Sequence, residues 1–102
     1  MNKKVKEIYR ASEIIDSTNV GVYTMFIGDR RYDSDEPDRL KCTVKDDKLT
    51  INHDNNVVTV DIDKISNVFC SSGSSFISGL ENCTKVSIFV NGGEDIDITF
   101  WY

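Results

Sequence analysis

Between residues 40 and 62 apolar and polar side chains alternate through three successive runs, joined by connectors only two residues long. Leu40, Cys42 and Val44 alternate with Lys41, Thr43 and Lys45; Leu49, Ile51 and His53 with Lys48, Thr50 and Asn52; Val58, Val60 and Ile62 with Val57, Thr59 and Asp61. Period-two alternation is the signature of half-buried strands, and connectors such as Asp46-Asp47 and Asp54-Asn55 suit tight hairpins. Closing the first connector sets Val44 against Leu49, Cys42 against Ile51 and Thr43 against Thr50. Closing the second sets Ile51 against Val58, Leu49 against Val60, Thr50 against Thr59 and Lys48 against Asp61. Both turns put apolar against apolar and Thr against Thr. A one-residue slip would reverse every side chain, so the two turns together specify a three-stranded meander. Lys45 opposite Lys48 is the one mismatch, eased by Asp46 and Asp47.

The rest of the chain is organised around this meander. Val5, Ile8, Tyr9, Ser12 and Ile15 recur at helical spacing, with Ala11 and Ile14 alongside, which predicts an amphipathic helix over 3–16. Residues 20–27 are β-rich and apolar on both faces, as in a covered strand. Residues 28–38 are charged, hold the only Pro and read as a loop. Residues 63–69 fit either a strand extension or a short helical turn. The Ser- and Gly-rich stretch 71–79 reads as a flexible loop, pinned by Phe76, Ile77 and Leu80. A closing hairpin joins 84–90 to 95–102. A three-residue loop from Gly92 to Glu94 sets Val90 against Ile96, Ile88 against Ile98 and Val86 against Phe100. The other face then carries Lys85 opposite Trp101, Ser87 opposite Thr99 and Phe89 opposite Asp97. The expectation is a single α+β domain: one N-terminal helix packed on a mostly antiparallel, strongly curved sheet of about six strands, at 20–27, 40–45, 48–53, 56–62, 84–90 and 95–102.

At 102 residues, the chain is too short for a Rossmann or barrel enzyme. Its 17 acidic and 12 basic residues give a net charge of −5. Residues 1–51 hold ten of each sign, so the deficit falls on 52–102, where Lys64 and Lys85 face seven acids. An acidic half repels phosphate backbones and anionic lipid, which argues against direct nucleic-acid or membrane binding and for a basic partner. Cys42, Cys70 and Cys83 cannot all pair, and no Cys-x-x-Cys occurs. With no hydrophobic signal core at the start, this predicts free thiols in a reducing, cytoplasmic compartment.

Four groups of residues are candidates for chemistry. Ser71 to Ser75 around Gly73 offer a backbone nest for an anion, against the plainer reading of a connector. His53, the sole histidine, falls at the end of the apolar face, where Cys42 is its diagonal neighbour; a packed hairpin-end histidine is the favoured reading. The run Asp33-Ser34-Asp35-Glu36-Pro37-Asp38 clusters carboxylates, but lacks the EF-hand Gly and Glu, and Arg30, Arg31 and Arg39 compensate it, so a solvated loop is favoured over a metal site. Trp101 and Phe89 share a sheet face with Asp97, near Asp95. Large aromatics rimmed by polar groups mark binding surfaces unless a second layer covers them.

These readings point to a non-enzymatic protein without cofactor or metal, which binds a basic protein surface through Phe89, Asp95, Asp97 and Trp101, with Asp33, Asp35 and Glu36 contributing. The expected form is a small inhibitor that occludes a nuclease or other nucleic-acid-handling enzyme, as toxin-immunity and phage anti-CRISPR proteins do. This is an analogy of size and charge, with no shared motif. The Asn-, Lys-, Ile- and Asp-rich composition is that of a low-GC bacterium or its phage. An alternative is a β module that binds a peptide or lipid head group: the order of short strands with a late long loop resembles PH-like domains, although those end in a helix and this chain in strand-forming residues. A third reading is an enzyme using Cys42 or Cys83 with His53.

Overall fold

The computed structural model describes residues 3–18, 22–34, 40–53, 56–77 and 79–102. A helix, α1 (Lys3–Thr18), is followed by β1 (Val22–Ile27), β2 (Arg30–Asp33), β3 (Lys41–Lys45), β4 (Lys48–His53) and β5 (Asn56–Asp61). A 3-10 turn, Ile62–Lys64, leads into β6 (Ile65–Ile77), β7 (Leu80–Val90) and β8 (Ile96–Trp101). The strands form two antiparallel sheets, β2-β1-β8-β7-β6 and β3-β4-β5. The class is α+β, with the N-terminal helix packed on both sheets, which are not closed into a barrel.

The smaller sheet has the register expected of the meander: Val44 pairs with Leu49, Cys42 with Ile51, Ile51 with Val58 and Leu49 with Val60. Asp46 (φ 53°) and Asp47 (φ 59°) both adopt positive φ, the geometry of a type I′ turn, whose twist matches that of the flanking strands. The Ile62 N–H donates to the Asp47 carbonyl at 2.9 Å and ties the end of β5 to this turn.

The larger sheet departs from expectation in three places. The charged stretch after residue 28 contains a strand, β2, folded back on β1 through Gly28 (φ 59°) and Asp29. The Ser/Gly-rich stretch is likewise strand, the second half of β6, paired with β7 from Ser71–Lys85 to Ser74–Asn82; it is neither a loop nor an anion nest, and the Phe76 and Ile77 side chains lie outside the described residues. The closing hairpin keeps the expected faces but shifts by two residues: Ile88 pairs with Ile96, Val86 with Ile98 and Thr84 with Phe100. The connection 91–95 is held by two partners outside the hairpin and by one bond within it. The Asn91 N–H donates to the Lys64 carbonyl at 2.8 Å, the Gly28 N–H to the Asp95 carbonyl at 3.0 Å, and the Val90 N–H to the Asp95 carboxylate at 2.9 Å.

Alternation sends Tyr23, Met25 and Ile27 of β1, Ile96, Ile98 and Phe100 of β8, and Val86 and Ile88 of β7 to the inner face, all buried. They meet Leu40, Cys42, Leu49 and Ile51 of the meander and Ile8, Ala11 and Ile15 of α1 in one core. Tyr9, placed in the apolar stripe by spacing, is 42% exposed. Two polar contacts fix α1 to β3: Ser12 Oγ donates to the Cys42 carbonyl at 3.1 Å, and the Cys42 N–H donates to Asp16 Oδ1 at 3.3 Å.

Candidate protein-docking face

Both α1 and the meander cover the inner face of the five-stranded sheet, and among the described residues nothing covers the outer face. The register defines its rows: Arg31, Phe26, Asp97, Ser87 and Phe69 lie across the sheet in one row, and Asp33, Thr24, Thr99, Lys85 and Ser71 in the next. Val22, Trp101, Cys83 and Gly73 make a third. Phe69 is 58% exposed, Phe26 40% and Phe89 37%, while Trp101 is half-buried. The Phe69 and Phe89 rings stack edge to face, 5.8 Å between centroids. Side chains this large, left accessible together, cost solvation in the free protein that a partner would recover.

The two-residue shift changes the expected neighbours on this face. Trp101 stands opposite Cys83 and Val22, and Lys85 opposite Thr99, so the expected cross-strand Lys85–Trp101 pair gives way to a different cation–aromatic contact, Arg31 over Phe26 at 5.8 Å. Asp97 is exposed and flanked by Phe26 and Ser87 rather than by Phe89. Asp95 is exposed too, but it belongs to the β7–β8 connection, where its carboxylate accepts the Val90 N–H. Asp33 lies at the edge of the face. It accepts from Thr24 Oγ1 at 2.7 Å and pairs with Arg31 at 3.1 Å. The Thr24 hydroxyl, and after it Arg31, hold the Asp33 carboxyl below the usual range against the opposing effect of desolvation. Asp35 and Glu36 lie outside the described residues. Phe26 and Phe69 are additions that sequence reasoning missed. Phe26 sat in a run apolar on both faces, where only its pairing with Asp97 gives its direction away, and Phe69 sat in a segment of undecided structure.

The candidate nucleophile pair is not assembled. The His53 ring packs edge-on against Tyr23 and Tyr32, and its Nδ1 is hydrogen-bonded to the Tyr23 hydroxyl. Cys42 lies buried in the core, its main-chain carbonyl and N–H bonded to Ser12 and Asp16, and burial pushes its thiol up to about 11. Among the described residues no three His, Cys, Asp or Glu side chains gather into a metal site, and no helix is long and apolar enough to cross a membrane. No known family model, curated protein or solved structure matches the chain.

Proposed function

We propose that this protein is a non-enzymatic inhibitor that docks on a basic, nucleic-acid-handling partner such as a nuclease and occludes its working surface, in the way of toxin-immunity and anti-CRISPR proteins, in the cytoplasm of a bacterial cell. The observation that carries this reading is the open outer face, where Phe26, Phe69 and Phe89 are exposed around Asp97. Aromatic anchors supply most of the holding energy at such interfaces, and charge supplies speed and register. The net charge of −5 favours encounter with a cationic groove and disfavours nucleic acid itself. Asp97 and the half-buried Trp101 complete the patch, with Asp33 at its edge and Asp95 beyond its end. The engagement of His53 and Cys42 in packing contacts supports binding over catalysis.

The test is calorimetric titration against purified bacterial nucleases with basic grooves, with DNA cleavage followed in parallel. A partner should bind, lose cleavage activity and bind about tenfold more weakly as salt rises from low to physiological strength. Phe69→Ser with Phe89→Ser should abolish the complex, and Asp97→Lys should slow its formation. Binding indifferent to all three substitutions, or inhibition without complex formation, contradicts the proposal.

A further inference from the structure

The two edges of the three-stranded sheet are finished differently. On β3, α1 caps the middle of the edge, since Ser12 and Asp16 take the Cys42 carbonyl and N–H. On β5 nothing equivalent is present among the described residues. Counted from the Asp46–Asp47 turn, the antiparallel ladder directs the N–H and C=O groups of Val57, Thr59 and Asp61 away from β4. The bond from Ile62 to Asp47 falls where that count requires it. Among the described residues the outward backbone groups of Val57, Thr59 and Asp61 have no partner. Nor does β5 carry the usual protection of an open edge: Asn56-Val57-Val58-Thr59-Val60-Asp61 holds no Lys, no Pro and no bulge, and Val57 is 61% exposed.

Beside this edge runs an open cleft of about 490 Å³, with Ile27 and Ile96 among its apolar lining and Gly92 and Gly93 on the β7–β8 connection across from β5. Arg30, Lys48 and Lys64 also line it. Arg30 is paired with Glu94 at 3.0 Å and Lys48 with Asp61 at 3.7 Å, whereas Lys64 has no ion pair among the described residues. The cleft thus holds a surplus positive charge in a protein that is acidic as a whole.

We infer that β5 and this cleft form a slot for an extended peptide with apolar residues between acidic ends, which adds to the meander as a fourth strand. From Val57 to Asp61 the ladder spans about 13 Å, which matches about four or five residues at about 3.3 Å each. Main-chain bonds supply the affinity, the apolar lining takes alternate side chains, and Lys64 selects a carboxylate. A second copy of the chain fits less well, because its β5 brings β4 beside it against the wall formed by Gly92, Gly93 and Arg30. This site is separate from the outer face and does not depend on the inhibitor reading.

The experiment titrates the ¹⁵N-labelled protein with the blocked pentapeptide Glu-Val-Thr-Val-Glu and its Lys-ended counterpart at low salt. The amides of Val57, Thr59 and Asp61 should shift and exchange more slowly, and the Glu-ended peptide should bind about tenfold tighter. Lys64→Glu should remove that preference. Thr59→Pro should abolish binding while the β3–β4 amides stay in place, since the Thr59 N–H takes no part in pairing with β4. Should that variant fail to fold, N-methylation of the peptide's central residue gives the same test. Phe69→Ser with Phe89→Ser should leave the peptide titration unchanged. No shift of the β5 amides up to about 1 mM peptide, equal affinity for both peptides, or β5 protection that rises with protein concentration alone would overturn the inference; the last would assign the edge to a second copy.

Discussion

Capping of the β3 edge by α1 can be tested at Ser12. Ser12 is 8% exposed, and its hydroxyl donates to the carbonyl of Cys42, a residue 3% exposed. Ser12→Ala removes a hydroxyl whose own burial costs little, but strands an acceptor that water cannot easily reach. Leaving a buried carbonyl unpaired costs about 1–3 kcal/mol. An unfolding entropy of about 2.1 cal/mol/K per residue gives a chain of this length about 0.2 kcal/mol/K, so the loss lowers Tm by about 5–14 °C. Asp16→Ala should cost less, about 0.5–1 kcal/mol, because the 3.3 Å bond is long and Asp16 is exposed, so water can replace it. The two residues lie one helical turn apart on the same strand edge. Losing one contact loosens the helix there, so the double variant should fall short of additivity by about 0.5 kcal/mol. Urea and thermal unfolding of the four proteins measure these losses, with Glu13→Ala on the exposed side of α1 as the control. A Ser12→Ala protein within about 0.3 kcal/mol of the parent, with an unchanged denaturant slope, would show that the hydroxyl does not hold α1 on β3.

Two further outcomes follow from the geometry. Burial raises the Cys42 thiol from an ordinary 9.0 to about 11, so at pH 8 it holds about a hundredfold less thiolate than an ordinary cysteine; timed iodoacetamide labelling with mass spectrometry should modify exposed Cys70 well before Cys42, and equal rates would contradict the placement. The Asp33 carboxyl is held low by Thr24 and Arg31, so its contribution is complete above the unfolded pKa and is lost as pH falls through the folded one. A carboxyl-detected NMR titration should place Asp33 below an ordinary Asp and show it rising in Thr24→Val; a midpoint unmoved by that substitution removes Thr24 as the cause.

The meander is legible because its central strand constrains the register on both sides. Leu49 and Ile51 had to meet apolar partners on both β3 and β5, and only one register satisfies both. The shifted hairpin at the C-terminal end shows the limit of the same logic. Its apolar residues alternate at every second position, so a two-residue slip preserves which side chains face the core. What selects the actual register is the anchoring of residues 91–95 by Gly28, Lys64 and the Asp95 carboxylate, contacts remote in sequence or held by a polar side chain. β6 escaped detection because Ser71, Ser72, Gly73 and Ser74 carry no apolar signal; a long backbone ladder with β7 holds them in place. Likewise β2 is short, charged and at an edge, where polar side chains are tolerated. Of the candidate site, the placing of Phe89 and Asp97 on the face away from Val86, Ile88 and Val90 follows from parity alone, since parity survives the slip; whether a second layer covers that face does not. Nor do its true neighbours, which is why Phe26 and Phe69 emerged only with the coordinates.

The proposed function places a basic partner on the outer face of the five-stranded sheet. Site-specific photocrosslinking in the cells that make this protein tests it most directly, with a photoreactive phenylalanine analogue placed at Phe69 or, as a control, at Tyr9 on α1, both exposed in the free protein. A crosslink is expected at Phe69 to a basic nucleic-acid-handling protein, with none at Tyr9, and the Phe69 product should disappear when Phe89→Ser and Asp97→Lys are combined. Capture of the same partner from Tyr9 but not from Phe69, or a Phe69 product only with another copy of the chain, would contradict that placement.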